Sequence, residues 1–300
     1  MMVDSTEVMS FMGLAGGKII RHLFLKPATG RNFIRSRKIP DRIISKMNRK
    51  IAAVFSLATV TAALVTSVSA QSMYYEDAAP RATAVVGWES EYVFRGVQAS
   101  KRVVRPGLAL EMSDAYAGVE GILSTDSGFS HLHEFDFYAG LRHDLDDLLL
   151  MDFGGVLYYF PRLDREMPRE DDLTGEFYLG VGLGVPLDPW LYFSYDVVLE
   201  DFTIEGSLSH EIPLHGRLSL ELSAAGGHSW LREGKPWMAG SVNYFYAETG
   251  ADIRFAVNES AAISAGGRYS TNDLSRGERL ASSGANRANL WWGAAFIAEF

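Results

Sequence analysis

The chain has 300 residues, no cysteine, and 28 Lys/Arg against 37 Asp/Glu, a formal net charge of −9. The missing cysteines exclude a disulfide framework and thiolate metal sites. Residues 1–70 hold eleven of the basic side chains and three of the acidic ones, leaving 17 basic and 34 acidic residues in the remainder, a balance that repels nucleic acid.

Residues 1–46 are rich in Lys and Arg and show no sustained periodicity. They read as a disordered leader, or as sequence upstream of a true start at Met47. Residues 47–70 have three zones: Arg49 and Lys50, an apolar stretch from Ile51 to Val65, and the small-residue exit Val68-Ser69-Ala70. That is the layout of a secretory signal peptide cut before Gln71. The rival is a permanent anchor, since Ile51 to Ala70 is long enough to span a bilayer. Its six alanines and several hydroxyl residues make a weak one. Residues 71–82 form a lead-in, and 83–300 the folded body.

The body alternates apolar and polar residues over runs of about ten, broken by turn residues. In the first run Ala84, Val86, Trp88, Tyr92 and Phe94 share one face, and Thr83, Gly87, Glu89, Glu91 and Arg95 the other. Phe135, Phe137, Ala139 and Leu141 stand against Glu134, Asp136, Tyr138, Gly140 and Arg142; Phe177, Leu179 and Val181 against Glu176, Tyr178 and glycines; Leu191, Phe193 and Tyr195 against Ser194 and Asp196. This spacing predicts twelve strands, near 83–95, 104–112, 115–124, 133–142, 149–160, 176–185, 190–200, 203–212, 217–228, 242–255, 260–271 and 289–300. Connections after even-numbered strands are short. Several others are long: 124–132, 161–175, 229–241 and 271–288. The connection after the seventh strand is an exception, almost a tight turn.

A soluble β-sandwich would bury the apolar face between two sheets. A transmembrane barrel would turn it to lipid and keep the polar face in the lumen. Ten-residue strands, an even strand number, and short turns at one end with long loops at the other favour an all-β, antiparallel, up-and-down transmembrane barrel of about 12 strands behind a signal peptide. Aromatics near strand ends (Trp190, Trp291-Trp292, Tyr158-Tyr159-Phe160) sit where interfacial girdles belong. On the last strand Leu290, Trp292, Ala294, Phe296, Ala298 and Phe300 share a face. A final strand must pair with the first to leave no edge. Trp292, Phe296 and Phe300 are therefore expected to serve barrel closure, and a terminal phenylalanine on an amphipathic last strand resembles the signal that outer-membrane barrels present to their assembly machinery.

The stretch from Ser90 to Ser100, "SEYVFRGVQAS", followed by "RPGLALEM" and "YAGVEGILS", resembles the opening of the TorF-type porin family of Gram-negative outer-membrane proteins. Ser90, Glu91, Tyr92, Arg95 and Gly96 carry the match. Glu91 stands where the family has Asp, and "RPGL" where it has a Gln-Gly pair. The resemblance implies an outer-membrane barrel and a pore, without a known substrate.

For chemistry, "SHLHEFD" offers Ser130, His131 and His133. Ser130 and His131 would point to opposite faces of a strand, and two imidazoles without a third ligand make a weak metal site. No catalytic residue, cofactor or metal is expected, and a lipid-modifying barrel enzyme, which would need a Ser/His pair held at the outer rim, ranks behind both a channel and a non-conducting barrel. The candidate lumen face holds thirteen carboxylates: Glu89, Glu91, Glu111, Glu120, Glu134, Asp136, Asp152, Glu176, Asp196, Glu205, Glu221, Glu248 and Asp252. Against them stand Arg95, Arg142, Arg217, Arg254 and Arg268. Either they form a salt-bridged plug, or a narrow channel whose surplus carboxylates attract cations. The expected pore-lining set is Glu89, Glu91, Arg95, Asp136, Arg142, Asp196, Glu205, Glu221, Glu248, Arg254 and Arg268. The partners are outer-membrane lipid, the assembly machinery, and small solutes or ions. Glycines on this face are expected to keep the lumen open.

Overall fold

A computed structural model describes residues 80–126, 133–146, 148–161, 173–232, 242–274 and 286–300. The signal-peptide and leader segments, His131 and Ser130 lie outside the described residues. Twelve strands follow in order: β1 Arg81–Phe94, β2 Val97–Met112, β3 Ala115–Ser124, β4 His133–Asp144, β5 Leu149–Tyr159, β6 Leu173–Leu183, β7 Trp190–Asp196, β8 Asp201–His215, β9 Leu218–Leu231, β10 Val242–Asn258, β11 Ala261–Asn272 and β12 Ala288–Glu299. Each pairs antiparallel with its sequence neighbours, and β1 pairs with β12, so the sheet closes. Closure satisfies every ladder and removes the exposed edges.

The closing register sets Val86 opposite Phe296 and Glu89 opposite Gly293. Phe300 continues the ladder: its N–H donates to the Ala82 carbonyl (2.9 Å), and the Ala82 N–H returns a bond to the Phe300 carbonyl (3.2 Å). Leu290, Trp292, Phe296 and Phe300 all lie exposed on the outer surface, as the alternation predicts.

The outside is apolar almost all the way round. Val86, Leu108, Phe137, Phe153, Leu179, Leu191, Leu208, Leu222, Phe255, Ile263 and Phe296 are exposed on eleven different strands. A continuous apolar band is far larger than the patches soluble monomers tolerate. Phe202, His228, Trp230 and Phe245 group on the outer face near the long-loop end, the two rings of His228 and Trp230 stacked at 4.0 Å.

Two expectations about the strands change. The second strand begins at Val97 rather than near 104, so the β1–β2 connection is a two-residue turn, Arg95-Gly96. Both residues have positive φ, 44° and 74°, which a two-residue hairpin of this hand requires and which Gly96 meets without a Cβ penalty. The seventh strand stops at Asp196, and 197–200 form a turn.

At the opposite end, the β4–β5 turn is closed by Asp146, whose carboxylate accepts from the Leu148 and Leu149 amides (2.8 and 2.7 Å). Those two donors hold its carboxyl below the usual aspartate range.

Candidate functional site

The lumen is built from the inward members of each strand, and its two sides differ. On β3 to β7 these positions alternate between rings and glycines in matched register. Tyr116 lies opposite Gly140 and Tyr138 opposite Gly118; Tyr178 faces Gly154, Tyr192 faces Gly180 and Trp190 faces Gly182. A Cβ at any of these glycines would overlap the facing ring. The glycines therefore seat aromatic rings that lie against the inner wall across the neighbouring strand. On this side they hold rings rather than open space, whereas Gly87 and Gly250 line the cavity described below, as expected of glycines that keep the lumen open.

Asp152, buried to 1% exposure, ties this side together. It accepts from the Tyr116 hydroxyl (2.7 Å) and the Tyr192 hydroxyl (3.1 Å), and pairs with Arg142 (3.2 Å). The Tyr116 and Tyr178 hydroxyls touch, and the Arg142 guanidinium lies 5.1 Å over the Trp190 ring. Burying a carboxylate is costly unless it is paired and hydrogen-bonded, and Asp152 has three such partners. Trp190, Tyr158 and Trp291 are thus interior residues. The girdle expectation holds for Trp292 and Tyr159, which are exposed, and fails for those three, because position near a strand end does not decide which face a ring takes.

Next to this side Arg105 donates to Glu120 (2.8 Å) and Glu89 (2.9 Å), with its guanidinium 5.8 Å over the Tyr92 ring. Glu120 stands opposite Asp136 across the β3–β4 ladder, and Glu134, two residues away, is on the same face. All three carboxylates are buried. Asp196 is fully buried and accepts from the Thr174 hydroxyl (2.7 Å) and from the Val198 and Leu199 amides (2.9 and 2.6 Å). Its placement is that of a cap on the β7–β8 turn.

From β8 round to β2 small and hydroxylic residues such as Ser207, Ser223, Ala225 and Gly250 stand among charged ones, and a cavity of about 250 Å³ is lined there. Glu89, Glu120, Glu205 and Glu248 reach its wall together with Arg105 and Arg268. Arg268 is held by Asp252 (3.1 Å), and nearby Arg254 pairs with Glu221 (3.5 Å). Glu205 accepts from the Tyr246 hydroxyl, and Tyr246 in turn covers Gly227. The charged side chains on the cavity wall are thus four carboxylates and two arginines, with Asp252 beside Arg268.

Ten of the eleven residues expected to line the pore therefore lie in the barrel interior or in the Arg95-Gly96 turn. Glu91 is the exception. Its neighbour Tyr92 is buried inside at 1% exposure, and Glu91 lies opposite exposed Lys101. The reason is local. Arg102 takes a positive φ (23°) and Trp292 N–H bonds to the Ser90 hydroxyl, so the ladder is irregular there and the alternation resumes one residue out of step. Arg217 also leaves the lumen set: it sits in the β8–β9 turn and donates to the Val257 carbonyl (2.7 Å). Arg105 was not among the expected residues, although Leu108, Leu110 and Met112 on the outer face already imply that it points inward. Among the described residues no group of three His, Cys, Asp or Glu side chains is arranged to hold a metal.

The fold and site define a closed twelve-stranded barrel with an apolar outside and a charged, partly filled lumen. A family described as "Bacterial protein of unknown function (Gcw_chp)" matches residues 75–213, from ahead of β1 into β8. A comparison with curated proteins returned no match. Among solved structures, the NanC porin is similar at 8% identity and a TM-score of 0.43, covering 72% of this chain and 98% of that one. An outer membrane channel from Pseudomonas putida F1 is similar at 9% identity and a TM-score of 0.39, covering 74% and 96%. LpxR from Salmonella typhimurium is similar at 7% identity and a TM-score of 0.36, covering 73% and 99%. Likeness at this level carries no argument about function.

Proposed function

We propose that this protein is an outer-membrane barrel of the TorF type, delivered by the signal peptide of residues 47–70, and that it forms a narrow, cation-preferring channel for small solutes. The observation that carries the reading is the cavity of about 250 Å³ inside the barrel, with four glutamates and two arginines on its wall. In a narrow aqueous space bounded by low-dielectric walls, surplus carboxylates concentrate cations and exclude anions. The apolar band on eleven strands supports insertion in a membrane, where only closed barrels and helices satisfy their backbone groups.

The purified full-length protein in planar bilayers, under a salt gradient, is expected to show small conductance steps with a cation-selective reversal potential. Anion selectivity would overturn the charge argument. A non-conducting barrel is the second reading, favoured by the tyrosine-filled side between β3 and β7. Silence across many insertions, in the wild type and in the variants of the β1–β2 turn described below, would establish it instead.

A further inference from the structure

Barrel walls bury one face of each strand, but the end of the β1–β2 hairpin buries both. Tyr92, Val93, Phe94, Val97, Ala99 and Ser100 are each 9% exposed or less. The irregularities at Ser90/Arg102 and between Tyr92 and Val93 bend the hairpin off the wall. Its tip then meets β6, across the lumen, as well as β10, β11 and β12 beside β1. The Arg95 guanidinium binds both carboxylate oxygens of Glu176 on β6 (3.0 and 3.3 Å), five strands round the barrel from β1. The Gly96 N–H donates to Glu248 on β10 (2.7 Å). The Gly96 carbonyl accepts from Asn272 on β11 (2.7 Å) and Asn289 on β12 (3.2 Å). Val97 packs with Leu231, Tyr244, Tyr246 and Leu274. Gly96 could not be replaced here: its φ is +74°, and a Cβ would lie 2.7 Å from that of Tyr246 and 2.9 Å from the Thr271 carbonyl.

We infer that the Arg95-Gly96 turn is the constriction of the channel, a latch across the lumen that sets which solutes pass; this rests on the channel reading above. The argument is geometric. A two-residue turn that is bonded at once to β6, β10, β11 and β12 lies over the lumen rather than at its rim. The two-point Arg95–Glu176 pair, with both side chains buried, is the strongest of the attachments. The pair is net neutral, so the latch limits the size of what crosses rather than its charge.

The test compares wild type with Arg95→Ala, Glu176→Gln and the exchanged pair Arg95→Glu with Glu176→Arg, each first checked for heat-modifiable mobility as a sign of a folded barrel. The latch predicts that either single change raises single-channel conductance several-fold and admits larger neutral solutes in a liposome-swelling assay. The exchanged pair should return both toward wild type. Folded single variants that conduct as the wild type does would overturn the latch and leave the channel standing. Failure of the folded exchanged pair to recover would overturn the ion pair as its fastening. A silent wild type with a conducting Arg95→Ala would support the latch, whereas silence in all four would overturn the channel reading itself.

Discussion

Between β3 and β7 the lumen wall carries five rings seated on glycines and one aspartate serving three donors, whereas from β8 round to β2, Tyr246 over Gly227 apart, glycine, alanine and serine leave a cavity with glutamates on its wall. The outer faces of the two sides are alike: Phe153 on one and Phe296 on the other are both exposed. A single alternating pattern therefore encloses two interiors. The difference lies in what faces each glycine across the strand pair. Where a tyrosine does, glycine makes a filled wall; where the partner is small, it makes space. Stability and permeation are expected to divide along the same line.

The largest effect should come from the filled side. Asp152→Ala takes a buried acceptor from Arg142 and from two tyrosine hydroxyls, and loss of one partner from a buried pair costs about 3–5 kcal/mol. Urea unfolding of the folded, gel-shifted species should register it, and a midpoint near wild type would mean that the network is not what holds this side. Second come the outer faces. Phe296→Arg and Phe153→Arg each place a cation on the outer face, which in the proposed membrane setting costs about 2–4 kcal/mol near the midplane. Their costs should be alike. A marked difference in assembly yield would show that the two sides are not equally embedded.

Third, Gly140→Ala forces a methyl group into the space of the Tyr116 ring, and overpacking of that kind costs about 1–3 kcal/mol. Gly87→Ala, whose new Cβ would find its nearest neighbours at 3.7 Å, should stay within about 0.5 kcal/mol. Equal melting temperatures for the two would erase the distinction between filled and open sides. The smallest energetic effect, and the most informative about transport, is expected from Glu205→Gln with Glu248→Gln. The amide oxygen introduced by the second change still offers an acceptor to the Gly96 N–H, so the barrel should melt as before while its reversal potential moves toward zero. An unchanged potential would place selectivity elsewhere.

Much of this was legible in the chain. Alternation located all twelve strands, and the run from Leu290 to Phe300 placed its outward face correctly, because in a closed barrel one face of a strand meets apolar surroundings and the other does not. The alternation of short and long connections gave the two ends. Legibility ended where regularity did. The assignments of Glu91 and Tyr92 failed at an irregular ladder, since a slip of one residue exchanges the faces of everything beyond it. Trp190, Tyr158 and Trp291 were misread because interfacial and interior rings occupy the same positions along a strand.

The sequence by itself determined the class of fold, the closure of β12 on β1 and the acidity of the body, because each depends on local periodicity or on a sum of charges. Only the tertiary structure decided which glycine faces which ring, that Arg105 rather than Arg217 neutralises lumen carboxylates, and that Arg95 reaches Glu176. Those facts depend on cross-strand register and on a bent hairpin, which bring together residues as far apart as Gly96 and Asn289, 193 positions in the chain. No local pattern records such a pairing, because its energy arises only once the sheet has closed.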